Sequence, residues 1–438
     1  MATGTENILR RQFKSFFDEE KISSMALELE VCKRKRKFDP YEAVLAFALC
    51  HSKGINRTIE DARRLYCENA GEIAKSSFYE HLNPEMAQLM KRLVEDVCRN
   101  HWQSIWPLVE DGVFNDVFIQ DSSVITLKDR LEWRYPSCGI AGSRTKGKKK
   151  AALKLHVGMH PLAVAPRTIS VTSQRYYDAD HLLVDEPMRG SLILFDRGYC
   201  RYALFDEIDE QGAFFVTRHK KSCNPKVVRN NLLKGKKAKK EAGIKVRELL
   251  ARAEPGRTLD YEVHIEGRFS KAKNRGIKID RMLRFVAVWN DEKKQHHCYI
   301  TNLPSKKMSA EALGRWYACR WEIEIMFKIL KSYFKIDQLT SGDDSVTQIQ
   351  LYGALLGWLL CRTVQFALME AYGYEYWRCP FMRFASIFFR KTSILLHAIK
   401  TRSHKTVLLL QEDCVREMKD EWINRKRNIQ PQILELAA

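Results

Sequence analysis

The sequence lacks any paired-cysteine motif, although it contains 12 cysteines among its 438 residues. The cysteines are scattered and no two form a CxxC pair, which argues against a structural zinc site and against a disulfide framework. The tightest group of potential metal ligands is His296, His297 and Cys298, and its place ahead of a β-like run favours the start of a strand over a metal site. We therefore expect reduced thiols.

A long uncharged apolar run is also missing. The longest candidate, residues 351–361, is shorter than the roughly 18 residues that a membrane span requires, and Arg362 follows it. The opening MATGTENILRRQ has no apolar core followed by a small-residue cleavage site, so it does not indicate a secretory signal. We expect a cytoplasmic protein.

Acidic residues are few relative to basic ones. The chain has 74 Lys and Arg against 54 Asp and Glu, a formal net charge of +20, which attracts polyanions over long range. Nucleic acid is the leading partner, with a membrane surface or a ribosome as alternatives. The content of 45% hydrophobic and 11% aromatic residues indicates a chain that fills large cores, which excludes a disordered protein.

The hydrophobic pattern predicts an α/β fold with helical ends. Apolar residues recur at helical spacing from about residue 13 to 109 and again from 309 to about 419. Strand-like runs lie between these regions, with helix-compatible stretches at 179–189 and 199–211. The strand-like runs are residues 117–119, 124–127, 153–158, 168–172, 192–195, 214–217, 259–265, 282–289 and 298–302. There is no internal repeat.

Two basic stretches are candidates for contact with nucleic acid. Residues 33–37 (KRKRK) fit a helix-turn-helix DNA-binding region, although a solvated charged face explains them nearly as well. Residues 142–149 imitate a phosphate-binding P-loop, but no Ser or Thr follows the lysine and no convincing strand precedes the loop. We expect this second stretch to be a charged loop or to touch DNA phosphates.

A polar stripe on the predicted helix around residue 320 is the most informative local feature. On an ideal helix, the side chains of this stripe lie within roughly 80° of arc. Glu322 falls about 140° from Tyr317, so only Glu324 of the two neighbouring glutamates belongs to the stripe. A solvated face with ordinary helical ion pairs is the alternative explanation. The stripe consists of Tyr317, Arg320, Glu324, Lys328 and Lys331.

Two further acids occur in strand contexts. Asp121 interrupts a strand-forming run, where an unpaired charge is costly to bury unless a cation offsets it. Asp196 ends a buried-looking strand, where α/β folds tend to place their sites, and Gly198 permits the turn that follows. For each residue alone, a turn or cap role is the common explanation, but three such acids together indicate a site.

These residues resemble a known family. The spacing of Tyr317, Arg320, Glu324 and Lys331 resembles the signature of the insertion sequence 4 family of bacterial DDE transposases, whose catalytic core is similar to ribonuclease H. The resemblance covers about residues 115 to 335 in the family's order. Shorter blocks that also match are residues 120–123 (QDSS), 154–156 (KLH), 195–199 (FDRGY) and 299–303 (YITNL).

The resemblance implies a division of the chain. The expected parts are a helical DNA-binding domain (1–112), the first part of a ribonuclease H-like core (113–218), a β-rich insertion (219–304), the second part of the core with the glutamate helix (305–340), and a helical C-terminal region that could mediate dimerisation (341–438).

The resemblance also implies the chemistry. Two Mg²⁺ ions, for which Mn²⁺ can substitute, would be held by Asp121, Asp196 and Glu324, with Asp121 bridging both. The implied partners are double-stranded DNA, as terminal inverted repeats and as target, and a second copy of the chain in a synaptic complex at the bacterial nucleoid. The residues expected to contact DNA are Tyr317, Arg320, Lys328, Lys331, Lys154, His156 and Trp289.

Several alternatives stay open at this point. A core tryptophan is a more common role for Trp289 than stacking on a flipped base, and a structural histidine is at least as common for His156. A transposase-derived DNA-binding protein without catalysis, or a metal-dependent nuclease that cuts without joining, is compatible with many of the same residues.

Overall fold

The computed structural model describes residues 8–32, 38–50, 58–105, 114–138, 150–161, 165–182, 188–268, 278–374 and 378–422. The basic run at 33–37 and the loop at 142–149 lie outside these ranges.

The N-terminal region is helical, as its apolar spacing predicts. Local capping sets several of its boundaries: Asp39 caps a helix that begins at Pro40, and Thr58 and Asp61 form a reciprocal capping box. The helices are α1 (Ile8–Phe16), α2 (Glu19–Glu28), α3 (Pro40–Leu49), α4 (Ile59–Ala70), α5 (Lys75–Glu80) and α6 (Pro84–Ile105).

A mixed sheet follows, and its first five strands have the order β3-β2-β1-β4-β5. β1 pairs antiparallel with β2 and parallel with β4, and β4 pairs parallel with β5. The sequence predicted two short runs where the structure has a single strand β1, because residues 120–123 continue the pairing with β2 despite their polarity. The strands are β1 (Val117–Leu127), β2 (Ala151–His160), β3 (Ala165–Ser173), β4 (Leu192–Phe195) and β5 (Phe214–Arg218).

The predicted β-rich segment extends this same sheet. Its last strand, β9, pairs antiparallel with β5, and the order continues β9-β8-β7-β6. Asp260 and Arg284 form a buried two-bond ion pair across β7 and β8, with N···O distances of 2.9 and 2.6 Å. The elements are α7 (Tyr202–Glu210), β6 (Lys226–Asn230), α8 (Val246–Ala251), β7 (Leu259–Arg268), β8 (Lys278–Asn290) and β9 (Gln295–Thr301).

The C-terminal region is helical and shares one continuous apolar core with the N-terminal helices. The longest helix, α11, packs closely on α3: a Cβ added to Gly357 would lie 2.2 Å from the carbonyl oxygen of Ala48, so only glycine permits this approach. The helices are α9 (Ala310–Ala318), α10 (Trp321–Ser332), α11 (Asp344–Ala371), α12 (Phe381–Arg390), α13 (Thr392–Thr401) and α14 (His404–Asp420).

Helix α11 corrects the estimate made from its apolar run. It has 28 residues, and by length and composition it is the one described helix that could cross a membrane. However, 94% of its most apolar window is buried inside the protein, and it carries the buried Arg362. Its composition is therefore that of a core helix.

Candidate active site

The parallel pairing of β1 with β4 brings two acids together. Gln120 is the partner of Phe195 in this register, so Asp121 and Asp196 are each one residue beyond the last paired position. Asp121 is largely buried within β1, and Asp196 caps the short turn that follows β4, where its carboxylate accepts a 2.6 Å bond from the backbone N–H of Arg197. The two carboxylates therefore lie side by side at the carboxyl end of the parallel strands.

Helix α10 supplies the third acid. The sequence predicted one continuous helix from Tyr317 to Lys331. In the structure, α9 ends at Ala318 and α10 begins at Trp321. The junction is closed by tighter i to i+3 bonds, such as Arg320 N–H to Tyr317 carbonyl at 3.1 Å. Despite this break, Arg320 still contacts Glu324 one turn later.

Arg320 joins two of the acids. Its guanidinium donates to Asp121 Oδ2 at 3.1 Å and to the carboxylate of Glu324. Burial raises the pKa of Asp121 to about 6, and the charges of Asp196 and Glu324 act in the same direction, against the Ser122 backbone N–H bond and the charge of Arg320. Asp121 therefore interacts electrostatically with both Asp196 and Glu324.

The remaining residues of the polar stripe are distributed around this centre. Tyr317 is buried, and its hydroxyl donates to the Phe195 carbonyl at 3.4 Å, so it supports the end of β4. Lys331 donates to the Val124 carbonyl at 3.2 Å and ties α10 to β1. Lys328 is exposed. Burial raises the pKa of Tyr317 to about 12, so the hydroxyl keeps its proton near neutrality.

Glu322 faces away from this centre, as the helical wheel predicted, but it is not solvated. It is only 4% exposed and lies on the side of α10 where its charge acts on Arg362, which is 2% exposed on α11. Burial lowers the pKa of Arg362 to about 9, and the Glu322 carboxylate opposes this shift. Glu322 therefore belongs to the core.

Sequence reasoning missed Asp178. It begins a short turn, Asp178–Asp180, one residue before the helix-compatible stretch 179–189. Its Oδ1 accepts a 2.6 Å bond from the Ser122 hydroxyl, directly beside Asp121. This contact joins segments far apart in the chain, and no local signal in the sequence marks it.

Lys154 and His156, predicted to contact DNA, also face Asp178. The Lys154 ammonium lies 3.1 Å from Asp178 Oδ1 and donates to the Tyr176 carbonyl at 2.8 Å. His156 is 1% exposed, hydrogen-bonds Thr172, and has its pKa lowered to about 4 by burial, so its ring is neutral. Their contact with DNA stays a prediction, and the described contacts make them supports of Asp178.

Trp289 is separate from the acids. It lies near the end of β8, half-buried, where its indole N–H donates to Asp291 Oδ1 at 3.1 Å and its ring packs edge-on against His296. None of these contacts involves the three acids.

The donor set suits a hard divalent cation, because all three groups are carboxylates. Burial is the main cause of the raised pKa of Asp121, and the charges of Asp196 and Glu324 raise it further; a bound cation would offset both effects. Over the described ranges, however, no three His, Cys, Asp or Glu side chains are arranged closely enough to form a metal site. Arg320 supplies the positive charge between Asp121 and Glu324 in this structure.

Comparison with known proteins agrees with this reading. Residues 113–360, more than half of the chain, match a family profile described as "Transposase DDE domain". The transposase for insertion sequence element IS231F of Bacillus thuringiensis subsp. israelensis is 22% identical over 393 residues, covering 82% of this chain and 80% of that protein. The transposase for IS1151 of Clostridium perfringens is 25% identical over 278 residues, covering 58% of each chain.

A cryo-EM structure of the piggyBac transposase synaptic complex with hairpin DNA aligns with 92% of this chain and 84% of that chain. The TM-score is 0.42 and the identity 10%.

Proposed function

The chain belongs to the transposase DDE domain family, and from that premise we propose that it cuts DNA at the ends of an insertion element in a Mg²⁺-dependent reaction and joins those ends to target DNA. Its similarity to transposases of bacterial insertion sequences supports this, and the narrower insertion sequence 4 assignment is compatible with them.

One observation supports the proposal: carboxylates from three separate elements lie near one another, and Arg320 binds two of them. Asp121 comes from β1, Asp196 from the end of β4 and Glu324 from α10. Carboxylates that repel one another in a partly buried place cost stability, so a functional reason is needed to keep them there. Phosphodiester chemistry supplies that reason.

We assign Asp121, Asp196 and Glu324 as the residues that would hold two Mg²⁺ or Mn²⁺ ions, with Asp121 shared between them. When bound, such ions activate the attacking oxygen and offset charge on the leaving oxygen. The protein's own groups orient the reaction: Arg320 offers a planar fork of donors for a phosphate, and Lys331 and Lys328 offer point charges. Tyr317 holds the end of β4, next to Asp196.

We further propose the architecture that the sequence suggested. The strand order β3-β2-β1-β4-β5, with the acids on β1, after β4 and on a later helix, supports a ribonuclease H-like core split by the β-rich segment 219–304. Residues 1–112 would bind the terminal repeats, and residues 341–438 would contribute to a homodimer on DNA. We place this activity in the cytoplasm, where the bacterial chromosome is accessible.

The first test is cleavage of a supercoiled plasmid that carries the element with its flanking ends. With Mg²⁺ we expect the purified protein to release a linear element, and without a divalent ion we expect intact plasmid. Binding to the ends without any strand cleavage, over a full range of Mg²⁺ and Mn²⁺, would instead favour a non-catalytic DNA-binding descendant.

Binding to DNA should depend steeply on salt. Each phosphate contact releases condensed counterions, so the logarithm of the affinity should fall linearly with the logarithm of salt, with a slope of about −0.9 per contact. For roughly six contacts, affinity drops about 10³-fold between about 50 and 200 mM salt. Fluorescence anisotropy with a labelled end duplex measures this. A flat profile would mean that the +20 charge serves another partner.

Replacing Asp178 with Asn should slow cleavage by about 10- to 100-fold, the usual cost of losing a group that orients a metal ligand. Asp178 positions Asp121 through Ser122, so DNA affinity should change little. Rates are compared per folded molecule, because the substitution also removes the charge beside the buried Lys154 ammonium. The Ser122→Ala variant should show a similar loss, and the double variant no more than either alone.

Asp180→Asn is the matched control, because Asp180 lies in the same turn but pairs with Arg201 at the surface. If Asp178→Asn and Asp180→Asn cleave at the same rate, Asp178 has no positioning role.

A further inference from the structure

A basic cavity lies beside the candidate active site, next to the antiparallel strands β5 and β9. Its volume is about 640 Å³, within the range of roughly 300–1,000 Å³ that ligand sites occupy. Four cations line it, Arg197, Arg218, Lys221 and Arg247, and the lining residues include no acid. Histidine rings from β9 form part of its wall.

No carboxylate in the described part of the chain forms an ion pair with these four cations. By contrast, Arg252, directly after the helix that holds Arg247, pairs with Glu248. Their described contacts are with uncharged groups. Arg247 donates to the Lys221 carbonyl at 3.1 Å, and Arg218 lies over the rings of Tyr299 and Tyr317 at 5.4 and 5.6 Å.

The positive charge of these cations shifts the pKa values of neighbouring side chains. Burial raises the pKa of the Cys298 thiol to about 11, and the charges of Arg218 and Lys221 oppose the rise. Burial lowers the pKa of His297, and Arg218 lowers it further, so this ring contributes a neutral wall. A concave surface of unpaired guanidinium and ammonium groups attracts an anion.

The cavity borders the candidate active site through Arg197 and Arg218. Arg197 directly follows Asp196, and its backbone N–H binds the Asp196 carboxylate. Arg218 packs on Tyr317, whose hydroxyl reaches the end of β4. An anionic chain that passes Asp196 on this side would therefore enter the cavity.

We propose that this cavity binds a backbone phosphate of the DNA strand that continues past the cleavage position beside Asp196. The inference rests on the proposed function and names a contact of the same DNA. Guanidinium forks bind a phosphate through paired hydrogen bonds, and such a contact positions a strand without reading its sequence. Trp289 packs on His296 in the cavity wall, so it supports the wall rather than the phosphate.

The first test compares Arg247 in α8 with Arg252, the residue that follows this helix. Binding of the wild type, Arg247→Ala and Arg252→Ala to a labelled element-end duplex is measured over a range of salt, in Ca²⁺ so that no strand is cut. We expect Arg247→Ala to bind about 5- to 20-fold more weakly and to reduce the salt slope by about 1. Arg252→Ala should match the wild type, since its guanidinium pairs with Glu248 at the surface.

Arg247 also donates to the Lys221 carbonyl, so Arg247→Ala could weaken binding through a local change in structure. The variant Lys221→Gln distinguishes this effect from the loss of a cation. It removes a cation without removing that bond, and it should lower affinity and slope in the same direction. If neither Arg247→Ala nor Lys221→Gln differs from Arg252→Ala, the cavity binds no phosphate.

The second test locates the phosphate. Single uncharged methylphosphonate linkages are placed along each strand near the cut. One position should weaken binding by the wild type but cause no further loss in Arg247→Ala. Independent losses at every position would overturn the proposal. If one methylphosphonate position loses its effect in Arg247→Ala as expected, but the wild type does not cleave DNA in Mg²⁺, the proposed function is wrong and the phosphate site stands.

Discussion

Glu324→Gln is expected to reduce strand cleavage by about 10³-fold or more while DNA-end affinity stays within about twofold. The charge of this carboxylate, paired with Arg320 and close to Asp121, is what we assign to the chemistry. A lost ligand costs several kcal/mol of transition-state stabilisation, and each 1.4 kcal/mol is about tenfold in rate. Single-turnover cleavage of a labelled end, with saturating protein, measures the effect.

Glu311→Gln provides the control, because Glu311 is exposed on the preceding helix α9 and has no contact with the three acids. It should cleave at the wild-type rate. Cleavage by Glu324→Gln at more than about a tenth of the wild-type rate would remove Glu324 from the catalytic group.

Glu322→Ala is expected to lower the free energy of unfolding by about 3–5 kcal/mol, the cost of leaving a buried charge without its partner. The residue lies two positions from Glu324, but its carboxylate is in the core and acts on Arg362. Chemical denaturation followed by tryptophan fluorescence gives the unfolding free energy. Cleavage per folded molecule should remain near the wild-type value.

A paired substitution separates charge from packing. The variant Glu322→Leu with Arg362→Met removes both charges together and should recover most of the lost stability, because apolar replacements of a buried pair are often neutral. If Glu322→Ala unfolds at the same denaturant concentration as the wild type, the burial of this carboxylate is without energetic consequence and the assignment is wrong.

Much of the sheet could be predicted because its strands are short apolar runs bounded by polar residues. The run at 192–195 matches β4 residue for residue, and its position predicted that Asp196 ends a buried strand. The side-by-side placement of Asp121 and Asp196 depends on the parallel pairing of β1 with β4, which joins segments far apart in the chain. Local patterns do not determine such pairing.

Other features depend on tertiary contacts that periodicity does not carry. The place of Asp178 beside Asp121 was not predicted, because its carboxylate is held by Ser122 and Lys154 from two strands that are distant in the sequence. In the sequence, Arg362 ends the apolar run at 351–361, but α11 continues past it. The helix accommodates this buried charge because the Glu322 carboxylate on α10 offsets it. The cations of the basic cavity likewise come from separate segments.

The decisive measurement follows the joining of cut element ends to a target DNA. Pre-cut element ends are incubated with a supercoiled target plasmid, Mg²⁺ and either wild-type protein or Asp121→Asn, and the products are resolved on a denaturing gel. We predict that the wild type forms covalent end-to-target products and that Asp121→Asn forms none while still binding the ends. Joined products from Asp121→Asn would contradict the assigned acids. If the wild type cleaves uncut ends in the plasmid assay but forms no joined products here, the protein is a nuclease.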